Sequence, residues 1–161
     1  MGQEKTLDGK VFEASEAPCP DFLAAAGENA WDDLQFLYFC AVSIWNFVTT
    51  PFLLAYPGVT VEELPPLREN EHVWRRLSVI FPPEIVTHAP EQIFHFDETG
   101  LQRRTDHAIA GHPAAHYSWA HHKFRHVLIP TLRRSLAIGP DGTVIQKPAL
   151  VDIEIFDAFF E

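Results

Sequence analysis

Residues 92–122 read QIFHFDETGLQRRTDHAIAGHPAAHYSWAHH, and this stretch decides the fold. Gln92 to Phe96 runs into Asp97-Glu98-Thr99-Gly100, a four-residue hairpin turn with glycine where a positive φ is wanted. Leu101 to Ala110 returns, Gly111-His112 turns the chain again, and Ala114 to His122 makes the third strand. Period-two runs joined by short turns are the signature of an antiparallel meander. The pattern extends outward in both directions. Downstream come Val127 to Ile138, the turn Gly139-Pro140-Asp141-Gly142, and Ala149 to Phe159. Upstream lie Val59 to Leu64, ended by Pro65-Pro66, and His72 to Phe81, with Val73, Leu77, Val79 and Phe81 on one face. Pro82-Pro83 turns the chain into Ile85 to His88 before Pro90 breaks it. The sum is about seven strands.

Ahead of the meander the period is helical. Asn29 is a candidate N-cap, Asp32 and Asp33 complement the macrodipole, and Trp31 to Val48 forms one apolar helix. No charge occurs from Leu34 to Val61, which raises a membrane-spanning alternative. Thr49-Thr50-Pro51 stops the run after about four turns, and Gln35, Ser43 and Asn46 would need partners in lipid, so enclosure by the rest of the domain is the simpler reading. Before it, Lys10 to Glu16 reads as a short strand and Asp21 to Gly27 as a loop or single turn. The expected organisation is an N-terminal segment at 1–30 and one domain at 31–161. Its fold class is α+β: a curved antiparallel meander, or half-barrel, over one main buried helix.

A 161-residue chain with 47% hydrophobic residues can bury a core without disulfide or metal staples. Its net charge of −10 repels phosphate backbones and leaves a nucleic-acid role no electrostatic footprint. Protonating all nine histidines would bring −10 to −1, so mild acid is expected to remove most of the net repulsion. Cys19 and Cys40 have no ligand or redox spacing, and Cys40 reads as a small buried hydrophobe. Polar Met1 to Lys10 has no apolar signal core, so the expected location is cytoplasmic. Gly2 with Thr6 fits the short acylation pattern M-G-x-x-x-[ST]. No Gly-rich phosphate loop, nucleophile elbow or metal-ligand spacing occurs, and no cofactor is expected.

Trp31-Asp32-Asp33-Leu34, Ile44-Trp45-Asn46-Phe47-Val48-Thr49-Thr50-Pro51-Phe52-Leu53-Leu54, Trp74-Arg75-Arg76-Leu77, Phe96 to Arg104, Ala115-His116-Tyr117 and Ile129-Pro130-Thr131 resemble an uncharacterised, mostly bacterial protein family. The likeness covers about Trp31 to Phe159 and implies that the chain corresponds to the C-terminal portion of its relatives. The meander is similar, more loosely, to lipoprotein-carrier half-barrels of the LolA/LppX type, which implies a sheet wrapped around helices with an apolar cavity between. Relatives place a Gly turn where this chain has Phe124-Arg125-His126, so a longer or looser hairpin is expected there. A shortened front would leave a sheet edge unpaired, and a homodimer through that edge is expected.

Strand parity fixes faces. A two-residue turn at Gly111-His112 sets His107 opposite His116, Thr105 opposite Ser118 and Arg103 opposite Ala120, and the preceding turn sets Phe94 opposite Arg103. One face then collects Phe94, Phe96, Leu101, Arg103, Thr105, His107, Ile109, His116 and Ser118; the other takes His95, Gln102, Arg104, Asp106, Tyr117, Trp119 and His121. The first is an apolar surface with a few convergent polar groups, the make-up of a small-molecule pocket. The expected function is binding of a small hydrophobic molecule, a lipid or metabolite, with Trp45, Asn46, Phe94, Phe96, Thr105 and Ser118 as ligand-binding residues. The alternative is a cofactor-free cyclase or isomerase, with His107 and His116 as a proton-transfer pair near neutral pH and Arg103 holding an oxygen anion. Plain hydrogen-bonded strand histidines account for the same residues. The paired arginines Arg103-Arg104 and Arg133-Arg134 send one guanidinium to each face, where cross-strand acids are the expected partners.

Overall fold

The computed structural model describes residues 33–109 and 111–159. The expected strand at Lys10 to Glu16, the loop at Asp21 to Gly27, the Asn29 cap and Cys19 lie outside the described residues. Helix α1 spans Asp33–Thr49, with Asp33 in its first turn. It ends where the backbone donors run out. Thr49 and Thr50 turn their hydroxyls back onto the carbonyls of Trp45 (2.6 Å) and Asn46 (2.7 Å), and Pro51 has no N–H to continue the ladder. A short 3-10 helix, Phe52–Ala55, follows. Phe39, Val42 and Ser43, on one stripe of α1, are buried, whereas Ile44 and Trp45 off that stripe and Phe36 in the first turn are exposed. No helix among the described residues is long and apolar enough to cross a membrane.

Among the described residues seven strands follow: β1 (Thr60–Glu69), β2 (His72–Ile80), β3 (Glu91–Phe96), β4 (Gln102–Ile109), β5 (His112–Phe124), β6 (Val127–Ala137) and β7 (Val151–Glu154). They form one antiparallel sheet in sequential order, open at β1 and β7 and not closed into a barrel. The architecture is therefore α+β with a meander.

Several boundaries differ from the sequence reading for physical reasons. β1 runs through Pro65-Pro66 instead of ending there, because an edge strand tolerates missing donors and a bulge between Leu64 and Leu67 absorbs the irregularity. Ile85 to His88 is loop, pinched shut by the Phe81 N–H donating to the Pro90 carbonyl at 2.9 Å. The last strand shrinks to Val151–Glu154. The hairpin at Phe124-Arg125-His126 is neither long nor loose: Phe124 pairs with Val127, and Arg125 adopts φ 53°. Among the described residues β1 carries two prolines and three glutamates, and β7 is short and bears Asp152 and Glu154, features that discourage pairing with a further strand.

The main core joins Leu53, Val79, Phe81, Ile85 and Phe94, with Leu54, Val59, Leu77 and Phe96 packed around it. Phe81 meets Phe94 edge-on at 6.3 Å. Each such buried side chain contributes about 1.5–3 kcal/mol, so this cluster anchors β2, β3 and the 3-10 helix and leaves the polar interior to β4, β5 and β6.

Candidate functional site

Two register features decide which side chains meet beneath α1. The β4–β5 turn comes one residue earlier than expected, since Ile109 pairs with His112 and Gly111 takes φ 78°. That moves the pairing by two residues, which changes partners but not faces. Thr105 is opposite His116 and His107 is opposite Ala114, so the two histidines meet diagonally, with ring centroids 6.1 Å apart. The second feature is a bulge: His95 pairs with Arg104 but Phe96 pairs with Gln102, leaving Arg103 as the extra residue. Arg103 therefore leaves the His107–His116 face, and its Nε donates to Asp97 Oδ2 at 2.6 Å. Gln102 takes the interior instead and donates to Thr105 Oγ1 at 2.7 Å.

The helix-facing side of the sheet thus brings together Phe94, Thr105, His107, His116 and Ser118 of the expected residues. Asn46 joins them from α1, donating to the Val86 carbonyl at 2.9 Å. Phe96 packs against the core rather than the polar cluster. Trp45 is 42% exposed and does not close the site. The space between helix and sheet is lined by Ser43, Asn46, Phe47, Thr50, Thr87, His88, Gln92, Phe94, Gln102, Thr105 and His107, with a volume of about 20 Å³. That is room for a single water, and nine of the eleven lining residues carry a polar side chain.

The residue that sequence reasoning missed is Arg133. Ser118 pairs with Arg133 and His116 with Ser135 across β5–β6, so all four side chains share one face. Arg133 is only 2% exposed, and its Nε has no hydrogen-bond partner among the described residues. Nη2 donates to the Phe47 carbonyl at 2.9 Å, placing a cation on the negative end of α1. Nη1 lies 3.3 Å from Ser118 Oγ and 3.4 Å from His116 Nε2. The Phe47 ring stacks on His116 at 4.3 Å, and the guanidinium sits 4.6 Å from its centroid. No carboxylate among the described residues pairs with Arg133. Burial pushes its guanidinium down to about 9, which leaves it charged at neutral pH. A turn at Phe124-Arg125-His126 sets this register, so parity alone carried the signal for Arg133.

The same contacts fix the histidine chemistry. A guanidinium only donates, so His116 Nε2 accepts; Nδ1 then carries the proton and donates to Ser135 Oγ at 2.6 Å. Burial, then Arg133 and His107, hold the His116 imidazole well below its ordinary range. Burial and the neighbouring His88 push His107 down to about 4. His88, also lowered by burial, has its Nε2 3.0 Å from the Phe39 carbonyl and 2.9 Å from Ser43 Oγ. These imidazoles are neutral hydrogen-bonding groups at pH 7 rather than a pair poised to exchange protons there.

The opposite side of the sheet holds a different arrangement. Arg104, 6% exposed, donates to Glu69 Oε1 at 2.6 Å and to both oxygens of Asp106. Glu69 also accepts from Tyr117 Oη (2.8 Å) and Trp74 Nε1 (3.2 Å). Beside this network lies an open groove of about 1,000 Å³. Comparison with family models, with curated proteins and with solved structures found no match to this chain.

Proposed function

We propose that the protein binds a small organic molecule with an apolar body and an anionic head, taken between α1 and the sheet. In this reading the sheet curves over the helix, and the ligand's oxyanion pairs with Arg133 while neutral His116, Ser118 and Ser135 complete its hydrogen bonds. The observation that carries it is the buried guanidinium without a carboxylate, since a desolvated charge in an apolar interior is stable only when paired. Phe47 is the plug. It covers Arg133 and His116 and also borders the interior space, so rotating its ring joins the two. Because the closed space admits one water, entry requires α1 to lift. The helix is held at this end by single hydrogen bonds from Asn46 and Arg133.

The test is calorimetric titration with octanoate and with octanol, together with mass spectrometry of the natively purified protein. Octanoate is expected to bind and octanol to bind at least tenfold more weakly, with Arg133→Met erasing the difference. Equal affinities for the two probes, or a carboxylate preference that survives Arg133→Met, would overturn this reading.

A further inference from the structure

The groove on the opposite side of the sheet shares only Ser118 with the Arg133 site and is large enough for a ligand as it stands. Its volume of about 1,000 Å³ lies at the upper end of small-molecule pockets. The β1–β2 turn forms one wall, the β3–β4 turn another, and Trp74, Tyr117 and Trp119 line it between them. The polar ends of two of these rings are already satisfied, since Tyr117 Oη and Trp74 Nε1 both donate to Glu69. Trp74 is buried with His72 stacked on it at 4.9 Å, and the Arg104 guanidinium lies 5.4 Å from the Tyr117 ring centroid, so neither is left as a donor and the open ring of the groove is that of Trp119. Trp119 is exposed.

Charge identifies the occupant. Most ionic groups of the groove are matched by partners: Asp97 by Arg103 at 2.6 Å, Glu69 by Arg104 at 2.6 Å, and Arg75 by Glu63 at 3.0 Å. Glu71 and Glu98, exposed and one on each wall, have no ion-pair partner among the described residues. Two unmatched carboxylates, one on each wall, with the exposed Trp119 ring in the same groove complement a chain with an ammonium at each end and methylenes in the middle. Cations are attracted to the faces of Trp and Tyr, and methylenes are desolvated against them. The overall charge of −10 adds long-range attraction for a cation. We infer that this groove binds linear polyamines, with Glu71 and Glu98 holding the terminal ammonium groups over Trp119.

The experiment is titration of the full chain with spermidine, with cadaverine, and with n-pentylamine as the single-charge control, followed by calorimetry and tryptophan fluorescence. Saturable one-to-one binding is expected, with cadaverine roughly tenfold tighter than pentylamine and Glu71→Gln/Glu98→Gln weakening spermidine at least tenfold. Trp119→Ala is expected to weaken both diamine and polyamine by about threefold to tenfold. Both glutamates are exposed, so the double variant should keep the wild-type urea midpoint and remain a fair test even if Trp119→Ala fails to fold. Binding that does not saturate, or an affinity unchanged in the double glutamine variant, would reduce the effect to generic attraction by an acidic surface and overturn the assignment.

Discussion

Arg104 and Arg133 are almost equally buried, on opposite faces of the sheet in the two strands that flank β5, and their surroundings could hardly differ more. Burial alone lowers a guanidinium. At Arg104 it is outweighed by Asp106, Tyr117 and Glu69, and the net shift is upward. At Arg133 nothing offsets it, and the group falls to about 9. Arg104 is thus a closed account of charges, with Tyr117 and Trp74 filling the remaining lone pairs of Glu69. Arg133 instead meets a helix carbonyl, a neutral imidazole, a serine and an aromatic face, all of which interact with a cation without neutralising it. The saturated network reads as structure and the unsaturated one as a site.

The sharpest way to break this contrast is to remove each guanidinium in turn. Arg104→Met strands Glu69 and Asp106 with no cation beside them, and is expected to cost about 3–5 kcal/mol in urea denaturation. A loss below about 1 kcal/mol would mean that the network is solvated and its closure unimportant.

Acid probes the other face. His107 is held at about 4 against an ordinary 6.5, so the unfolded chain binds more protons than the folded one between those values. Stability is therefore full above about pH 6.5 and falls as pH drops toward 4, by about 3 kcal/mol from His107, with His116 adding in the same direction. Urea midpoints measured across that range should decline steadily, and His107→Gln should flatten the slope. Five of the nine histidines, at 88, 95, 107, 116 and 121, are lowered, so mild acid cannot bring the net charge from −10 to −1 as the sequence arithmetic expects.

Asp97 tests the bulge that separates the two faces. Burial would raise its carboxyl, but hydrogen bonds from Thr99, Arg103 and the Leu101 N–H hold it at about 2. Its contribution is present above about pH 3.8 and is lost as pH falls through 2. Asp97→Ala is expected to cost about 1–2 kcal/mol at neutral pH by thermal denaturation. Arg133→Met should change stability by no more than about 1 kcal/mol, since methionine fills the space and no carboxylate is stranded. A loss matching that of Arg104→Met would show the Phe47 carbonyl and ring to be full partners, and Arg133 a structural peg. Smallest of all, Arg134→Ala removes an ion pair to Asp152 that is about half exposed at both ends, and should cost less than about 0.5 kcal/mol in the same assay.

The meander and the sorting of residues into faces were legible because both rest on local rules. Gly100 and Gly142, with φ near 81°, mark turns by their own conformational freedom, and a period of two survives any even error in register. That is why Thr105, His107, His116 and Ser118 land on the expected side although the β4–β5 pairing is displaced by two residues. Arg103 and Gln102 exchanged sides because one bulged residue reverses parity, and nothing in Gln102-Arg103-Arg104 announces a bulge. The exposed face of α1 was equally hidden, since an uncharged helix looks the same whether neighbours cover all of it or one stripe.

By itself, then, the sequence determined the helix, the sequential antiparallel order and the faces of the central strands, all set by turn chemistry and side-chain alternation within a few residues. Tertiary structure alone decided which arginine is matched by acids and which is not. Glu69 reaches Arg104 from 35 residues away, and Phe47 reaches Arg133 from 86. Partners so distant in sequence are chosen by how the sheet and helix pack, and burial, which turns a surface charge into a site, exists only once they have.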